Sequence, residues 1–338
     1  MSTSSKPAAL IVMDRKSFRA HFDRTRLARL RQLVTLPDPV WIDELDSPAA
    51  RARLATVEVL ITSWGAPTLT TERVNAAPEL KVVFHSAGSV RSLITDEVWE
   101  RKIQVTSAAE ANAIPVAEYT LAAILFAGKK APFFGAGAQS APRGWGDRDG
   151  FGHLSNYRRT VGVIGYSRIG RRVVDLLAQF DTTCYVADPY AEQFDVRAAG
   201  AILTDMYDLL PRSEILSLHA PDLPTTRHML GVGELALLPD HATIVNTARG
   251  SLIDHEALTA ECRSGRLFAI LDVTDPEPLP PDDPLRSMPN VVITPHIAGS
   301  LGSEVFRLTD LTLDELTRWI AEEPLVAEVP PHALAVRA

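Results

Sequence analysis

Short apolar runs rich in β-branched residues recur along the chain and alternate with stretches of helical periodicity. Such runs are typical of strands buried in a parallel sheet, because helices then cover both faces of the sheet. The first part of the sequence holds four of them, at 9–13, 57–62, 81–84 and 104–106. Helix-like segments at 24–33 and 71–76 lie between them, so we predict that this part forms βαβ units.

The pattern restarts after a long apolar segment, 116–130, which we predict to be a helix. A glycine- and proline-rich stretch at 131–156 is predicted to be a loop. Six more buried-strand candidates follow, enough for a complete dinucleotide-binding domain. The segment 304–323 is predicted to be the last helix. The six strand candidates lie at 160–164, 183–187, 215–218, 243–245, 267–271 and 291–294.

Length and composition agree with this division. The 338 residues are enough for roughly two domains, and we predict an α/β protein with two parallel sheets and a boundary near the helix at 116–130. Apolar residues make up 46% and charged residues 22% of the sequence, which is ordinary for a globular protein. The formal net charge of -8 gives no sign of a basic face, so we expect no nucleic-acid partner.

The cysteines and the N-terminus indicate a cellular setting. Cys184 and Cys262 are not spaced as C-x-x-C, so neither a metal site nor a disulfide framework is expected. A reduced, cytoplasmic setting fits two buried thiols. The apolar run at 8–13 is too short for a signal-peptide core. We find no run of about 18 apolar residues, the length that a membrane span needs, and expect no membrane partner.

A phosphate-binding turn follows the strand at 160–164. Gly165 and Gly170 occupy the first and third glycines of a G-x-G-x-x-G pattern, and Ser167 replaces the second. The first glycine permits a tight turn, the third lets helix and strand pack closely, and the helix N-terminus offers free amides to a pyrophosphate. Asp188 ends the next strand. A carboxylate there accepts ribose hydroxyls and repels a 2′-phosphate, so NAD is favoured over NADP.

Three further polar segments each follow a buried strand, at the sheet edge where ligands bind in such folds. Arg249 lies among small residues, and a guanidinium there can bind a carboxylate through two parallel hydrogen bonds. Glu277 stands between two prolines, and His296 follows the last strand. Each has an ordinary alternative. Arg249 could form a structural salt bridge, Glu277 could belong to an acidic surface loop, and His296 could be a core histidine.

Together these segments resemble the D-isomer-specific 2-hydroxyacid dehydrogenase family. The resemblance covers most of 105–299 and is strongest in five stretches that follow the family's order, 162–170, 217–221, 246–258, 272–278 and 294–299. It implies that Arg249 binds the substrate, that His296 is the catalytic acid and base, and that Glu277 is its partner. It also implies that Asp272 orients the nicotinamide carboxamide. The remaining implied cofactor contacts are Arg168, Ile169, His219, Pro221, Thr225, Thr247 and Ala248.

The resemblance is weaker in the loop that would bind the substrate carboxylate through backbone amides. The corresponding residues are Ser86, Ala87, Gly88 and Ser89. This loop is shorter than is usual in the family and ends in Arg91, where an acidic residue is usual. His85 and Arg91 could serve a second anionic group or could be solvated surface charges. The substrate therefore stays open at this point.

The resemblance also implies an architecture. Residues 1–115 and 300–338 would form the substrate-binding domain and 116–299 the NAD-binding Rossmann domain, each Rossmann-like or flavodoxin-like, with the active site in the cleft between them. Family members are commonly homodimers. The chain ends soon after its last predicted helix, so no appended regulatory domain is expected.

The predicted activity is hydride transfer between NAD(H) and a small 2-hydroxy or 2-keto acid, with no metal. Within the family, the alternatives are a phosphorylated hydroxy acid, formate or phosphite as substrate. An alternative of another class is an NAD(H)-sensing scaffold that resembles the family's transcriptional corepressors. The joint presence of Arg249, Glu277 and His296 favours an enzyme, because a scaffold needs no acid–base pair.

Overall fold

The computed structural model of the protein describes residues 6–138 and 151–331. The part of the chain described contains twelve strands, which all run parallel to their neighbours. They are β1 (Ala9–Val12), β2 (Trp41–Ile42), β3 (Val59–Thr62), β4 (Val82–His85), β5 (Gln104–Ser107), β6 (Arg159–Ile164), β7 (Thr182–Ala187), β8 (Ile202–Leu203), β9 (Ile215–Leu218), β10 (Thr243–Asn246), β11 (Phe268–Leu271) and β12 (Val291–Ile293).

The α-helices lie between the strands, except the last, which follows β12. They are α1 (Arg15–His21), α2 (Arg24–Leu33), α3 (Pro48–Leu54), α4 (Thr71–Asn75), α5 (Asp96–Glu100), α6 (Ala109–Gly128), α7 (Ala131–Ala138), α8 (Arg168–Leu177), α9 (Gln193–Ala198), α10 (Met206–Leu209), α11 (Val232–Leu237), α12 (His255–Arg263) and α13 (Val305–Ile320). The chain divides into two compact units, Met1–Ala113 with Ser300–Ala338 and Ile114–Gly299. The first contains a five-stranded sheet and the second a seven-stranded sheet.

The sheet of the first unit has the strand order β2-β1-β3-β4-β5. Successive side chains of a strand point to opposite faces, and both faces are buried. Leu10 and Val12 pack into one apolar cluster. Ile11 packs into another, which includes Leu313 and Leu316 of α13. The order reverses between β1 and β3, so the carboxyl ends of these strands border the crevice in which ligands bind in open parallel sheets.

The sheet of the second unit has the order β12-β11-β10-β9-β6-β7-β8. This is the doubly wound order of dinucleotide-binding domains, and it reverses between β6 and β9. Apolar clusters cover both faces; Ile244 belongs to one cluster and Val245 to the other. Loops that leave the carboxyl ends of these strands therefore share one edge, where the polar segments identified in the sequence lie.

The α/β class and both parallel sheets are confirmed, and the predicted long strands match within a few residues. Two edge strands were missed. β2 and β8 have two residues each, too few to show an alternating or continuous apolar pattern. β8 makes the second sheet seven-stranded instead of six-stranded.

The predicted loop at 131–156 was partly wrong, because α7 occupies its first residues. Pro132 lies in the first turn of this helix, where a backbone N–H needs no partner. Phe133 is buried, and its ring centroid lies 4.9 Å from that of Phe268. This packing outweighs the low helix propensity of Gly135. Residues 139–150 of the predicted loop lie outside the described residues.

Helix α6 also differs from expectation. It begins at Ala109 instead of 116 and includes Pro115 in its interior. By length and composition α6 is apolar enough to cross a membrane. No uninterrupted apolar run of that length occurs in the sequence. However, 56% of the most apolar window of α6 is buried inside the protein, as is usual for a core helix.

Candidate active site

The turn after β6 has the geometry that the glycine pattern predicts. Gly165 has φ +94°, and a Cβ there would lie 2.6 Å from the backbone of His219 and Ala220. A Cβ on Gly170 would overlap the carbonyl oxygen of Gly165. Ser167 precedes α8 and caps none of its amides. Arg168 and Ile169 form the first turn of α8 and are half-buried.

Asp188 follows β7 at the same edge of the sheet. One carboxylate oxygen accepts a 2.6 Å hydrogen bond from the amide of Tyr166, and the other accepts a 2.8 Å bond from the amide of Tyr190. These two bonds fix the carboxylate beside the glycine turn. Each oxygen keeps a further lone pair for another donor.

His219 follows β9 and lies behind the glycine turn. Its Nε2 is 2.9 Å from the hydroxyl of Ser217, whereas its buried Nδ1 has no partner among the described residues. Burial lowers the pKa of His219 to about 3, so the ring is neutral. Pro221 is half-buried and accepts a hydrogen bond from the hydroxyl of Thr226, and Thr225 is exposed.

Arg249 lies in an ordered turn after β10. The side-chain oxygen of Asn246 accepts from the amide of Ala248 at 3.0 Å, and its NH₂ donates to the carbonyl of Arg249 at 2.8 Å. The guanidinium is half-buried and donates one 2.6 Å bond to the carbonyl of Ala248. Thr247 is buried, with its hydroxyl 2.8 Å from that of Thr120.

The Arg249 turn packs directly against the segment after β11. A Cβ on Gly250 would overlap both the carbonyl group of Thr274 and the amide nitrogen of Asp275. Two of the three predicted catalytic segments therefore touch, and only glycine allows this contact without displacing one of them.

Glu277 and His296 are paired. The Oε1 of Glu277 lies 2.6 Å from the Nδ1 of His296. Both side chains are open to solvent, 41% and 51% exposed respectively. His296 has φ +53°, an uncommon left-handed conformation for a residue other than glycine. The described residues provide no partner for its Nε2, so that nitrogen is available to a ligand.

Asp272 holds the backbone on both sides of His296. Its Oδ1 accepts from the hydroxyl of Thr294 at 2.6 Å and from the amide of Ile297 at 2.8 Å. Its Oδ2 accepts from the amide of Ala298 at 2.9 Å. The side chain is 2% exposed. Asp272 therefore anchors the His296 segment, in addition to the cofactor role that the resemblance implies.

The loop after β4, in the first unit, contains Ser86, Ala87, Gly88 and Ser89. Ser86 and Ala87 are buried, whereas Gly88 and Ser89 are half-buried. The amides of Ala87, Gly88 and Ser89 donate to no residue in the part of the chain described. A series of unpaired amides favours an anion.

His85 lies inside the protein. The side chain is 5% exposed and hydrogen-bonds through Nδ1 to the hydroxyl of Thr62 at 2.9 Å. Burial lowers the pKa of His85 to about 4, against a smaller opposing effect of a hydrogen bond with the Ser89 backbone. The alternative of a solvated surface charge was therefore wrong for His85. Arg91 is exposed.

The model for the NAD binding domain of the D-isomer specific 2-hydroxyacid dehydrogenase family matches residues 123–298. This match covers more than half of the chain. The chain belongs to the D-isomer specific 2-hydroxyacid dehydrogenase family.

Named relatives in this family differ in their reactions. A D-3-phosphoglycerate dehydrogenase of Methanocaldococcus jannaschii is 34% identical over 250 residues, 73% of this chain and 47% of the relative. A glyoxylate reductase of Aeropyrum pernix is 30% identical over 280 residues, 78% of this chain and 81% of the relative. The chain thus spans about half the length of the phosphoglycerate dehydrogenases that it matches.

Solved structures agree with the fold. The 2-hydroxyacid dehydrogenase of Ketogulonicigenium vulgare is 25% identical and superposes with a TM-score of 0.76, covering 97% of this chain and 99% of that one.

NAD is the cofactor of this family's nucleotide domain, and the residues present fit it. A Cβ on Gly165 or on Gly170 would overlap backbone atoms, so only glycine allows the strand, the turn and the helix to pack this closely. The N-terminus of α8 has no side-chain cap, so its free amides can donate hydrogen bonds to a pyrophosphate, and the helix dipole favours the negative charge.

No group of three or more potential metal ligands occurs among residues 6–138 and 151–331. Cys184 and Cys262 are free and buried, and burial raises the pKa of both thiols to about 12.

Several residues that order the site were not identified from the sequence. Asn246 and Thr226 hold loops through side-chain bonds to backbone, a local pattern typical of Asn and Thr in turns. Thr294 and Tyr119 meet through hydroxyl groups 2.8 Å apart, although 175 positions separate them. No local sequence signal indicates such a long-range pair.

Proposed function

We propose that the protein is an NAD-dependent dehydrogenase of small 2-hydroxy acids. The observation that carries this proposal is the 2.6 Å pair between Glu277 and His296, with Nε2 of the histidine left open to a ligand. A carboxylate on one ring nitrogen fixes the ring's orientation and leaves the other nitrogen for proton transfer, which is the arrangement that general acid–base catalysis needs.

The proton chemistry belongs to His296. When a 2-keto acid is reduced, the imidazolium donates the Nε2 proton to the carbonyl oxygen. When a 2-hydroxy acid is oxidised, the neutral ring accepts the hydroxyl proton at the same nitrogen. Glu277 stabilises the charged ring in both directions through an opposite charge. Bound NAD(H) supplies or accepts the hydride.

Arg249 is the proposed anchor of the substrate carboxylate. A guanidinium has five N–H donors, and the bond to the Ala248 carbonyl uses only one. The remaining donors can bind a carboxylate bidentately and stabilise negative charge on the reacting oxygen. The contact of Gly250 with Thr274 supports the proposal, because it keeps the Arg249 turn next to the segment that leads to Glu277.

Asp272 and Asp188 are the proposed polar contacts of the cofactor. Oδ2 of Asp272 accepts only the amide of Ala298 among the described residues, so it can accept from a carboxamide as well. Asp188 can accept the ribose hydroxyls and would repel a 2′-phosphate, which favours NAD over NADP. His219, Pro221, Thr225, Thr247 and Ala248 are proposed to line the cofactor.

The unpaired amides of the 86–89 loop support a role in binding the substrate carboxylate. The buried, neutral His85 provides no second cationic site, so this side chain gives no support for a doubly anionic substrate. A small monocarboxylic 2-keto acid is the substrate class that we propose. The cytoplasmic location and the homodimer stay predictions from the sequence and the resemblance.

The experiment is NADH oxidation with glyoxylate, hydroxypyruvate, pyruvate and phenylpyruvate, and the reverse reaction with 3-phosphoglycerate. We expect turnover of at least one monocarboxylate. His296→Gln should lose about 10²-fold or more in kcat and still bind NADH. The matched control is His255→Gln, since His255 also pairs with a carboxylate, that of Asp283 at 2.8 Å. Full activity of His296→Gln, or no turnover by the wild type, would contradict the proposal.

A further inference from the structure

Two consecutive side chains of α6 contact the two loops that carry the proposed catalytic residues. The hydroxyl of Tyr119 lies 2.8 Å from that of Thr294, two positions before His296. The hydroxyl of Thr120 lies 2.8 Å from that of Thr247, two positions before Arg249. The proposed function uses none of Tyr119, Thr120 and Thr294.

The direction of the hydrogen bonds on the Tyr119 side follows from chemistry. An ionised carboxylate only accepts, so Thr294 donates its hydroxyl proton to Asp272. The Thr294 oxygen must then accept from Tyr119, whose phenol is the donor. Burial is the main cause that raises the pKa of Tyr119 above its ordinary value, so the phenol keeps its proton at neutral pH.

This series ends on the backbone that carries His296. Asp272 receives Thr294 and the amide of Ile297 on one oxygen and the amide of Ala298 on the other. Hydrogen bonds in series polarise one another. Tyr119 therefore acts on the His296 segment through two intervening side chains.

The direction of the hydrogen bonds on the Thr120 side also follows from chemistry. Thr120 donates its proton to the carbonyl of Val116 in its own helix at 2.7 Å. Its oxygen is then the acceptor for the hydroxyl of Thr247, and both side chains are buried. Thr247 lies between Asn246 and Ala248, the two residues whose mutual hydrogen bond shapes the Arg249 turn.

We propose that Tyr119 and Thr120 are positioning residues that set the His296 and Arg249 segments on one rigid helix. The inference rests on the proposed function for its catalytic consequence, but not for its structural one. Because neighbouring residues of α6 anchor both loops, His296 and Arg249 are both held in position relative to the same helix.

The variants are Tyr119→Phe and Thr120→Val, which remove one hydroxyl each and keep the shape of the side chain. Tyr207→Phe is the control for the first, since its hydroxyl contacts Glu234 at 3.3 Å on the surface. Thr317→Val is the control for the second, because its hydroxyl also bonds the carbonyl four positions earlier, that of Leu313, at 2.7 Å.

The first readout is amide hydrogen exchange by NMR in the protein without substrate. Tyr119→Phe should speed exchange at Ile297 and Ala298 about fivefold, the effect of one ordinary hydrogen bond. Thr120→Val should speed exchange at the amide of Ala248 by a similar factor. The controls should leave all three amides unchanged. Unchanged exchange in both variants, or an equal rise across the whole molecule, would overturn the inference.

The second readout is steady-state kinetics. Tyr119→Phe should lower kcat about fivefold with little change in KM, because it loosens the acid–base group, whereas Thr120→Val should mainly raise KM for the keto acid. The same kinetic change in both variants would contradict separate anchoring. Failure of the proposed function would instead appear as an inactive wild type with the exchange pattern intact.

Discussion

The side-chain amide of Asn246 donates a 2.8 Å hydrogen bond to the carbonyl of Arg249 and accepts one of 3.0 Å from the amide of Ala248. Asn246 thereby closes the turn on which the proposed substrate-binding arginine stands. It is 1% exposed, so water cannot replace either bond.

Asn246→Asp tests this arrangement. The new side chain keeps the acceptor for Ala248 but presents an oxygen, not an NH₂ group, to the Arg249 carbonyl. We expect KM for the keto acid to rise about tenfold, the effect of roughly 1.4 kcal/mol, in steady-state assays. Asn290→Asp is the control, because the Asn290 amide also bridges two buried carbonyls. An equal KM rise in both variants would mean that general destabilisation causes it.

Gly250→Ala tests the contact between the Arg249 turn and the Glu277 segment. The added methyl would overlap the Thr274 carbonyl, so we expect about 1–3 kcal/mol of destabilisation and a marked loss of kcat. Urea unfolding and steady-state kinetics measure both effects.

Gly233→Ala is the matched control for Gly250→Ala. Gly233 lies in α11, and a Cβ there meets no atom within 4 Å. We expect it to stabilise the protein by up to about 1 kcal/mol, because alanine is the better helix former. A Gly250→Ala protein with unchanged stability and kcat would show that the two segments do not need this contact.

Asp188→Ser should shift the cofactor preference towards NADPH. The substitution removes the charge that repels a 2′-phosphate, while the serine hydroxyl can still accept a backbone amide. We expect kcat/KM for NADH to fall about tenfold and the NADPH/NADH ratio to rise. Asp205→Ser is the control, since Asp205 also accepts a backbone amide, that of Asp208, and has no hydrogen bond to the glycine turn among the described residues. A ratio that does not change would overturn the role of Asp188.

Three buried histidines should make the protein sensitive to mild acid. Burial, the largest cause for each, lowers the pKa of His21 and His85 to about 4 and that of His219 to about 3, from an ordinary value of 6.5. Below pH 6.5 the unfolded chain takes up these protons first. The stability is therefore fully present above pH 6.5 and decreases as the pH falls towards 4.

Urea unfolding at pH 7 and pH 5 measures this effect. Each histidine contributes at most about 1.4 kcal/mol per pH unit. His21→Gln should therefore show a smaller decrease between the two values than the wild type. Equal decreases in both proteins would exclude His21 as a source of the acid sensitivity.

The longer buried strands were predictable because a run such as 268–271 is apolar on both faces. The edge strands β2 and β8 were not, since two residues carry no periodic signal. Helix α7 was missed for a different reason. Its glycines predict a loop, and only the packing of Phe133 against Phe268 shows why it is helical.

In the candidate site, too, local sequence predicted some features, whereas tertiary packing sets the others. Glycine spacing and the strand-end positions of Arg249, Glu277 and His296 predicted that these residues share one edge of a sheet, and in the structure they follow strands of the second sheet. The burial of His85 was not predictable, because it depends on the distant segments that surround it and on Thr62 of the neighbouring strand. The hydroxyl pairs of Tyr119 with Thr294 and of Thr120 with Thr247 are likewise set by tertiary packing, which a single sequence does not reveal.

The described hydrogen bonds that order the three proposed catalytic segments all come from residues within Ile114–Gly299. The loop at 86–89 belongs to the other unit. Substitutions in that loop therefore leave the bonding of Arg249, Glu277 and His296 untouched. On the proposed function, changes in that loop can alter substrate preference without altering the bonds that order the acid–base pair and the arginine.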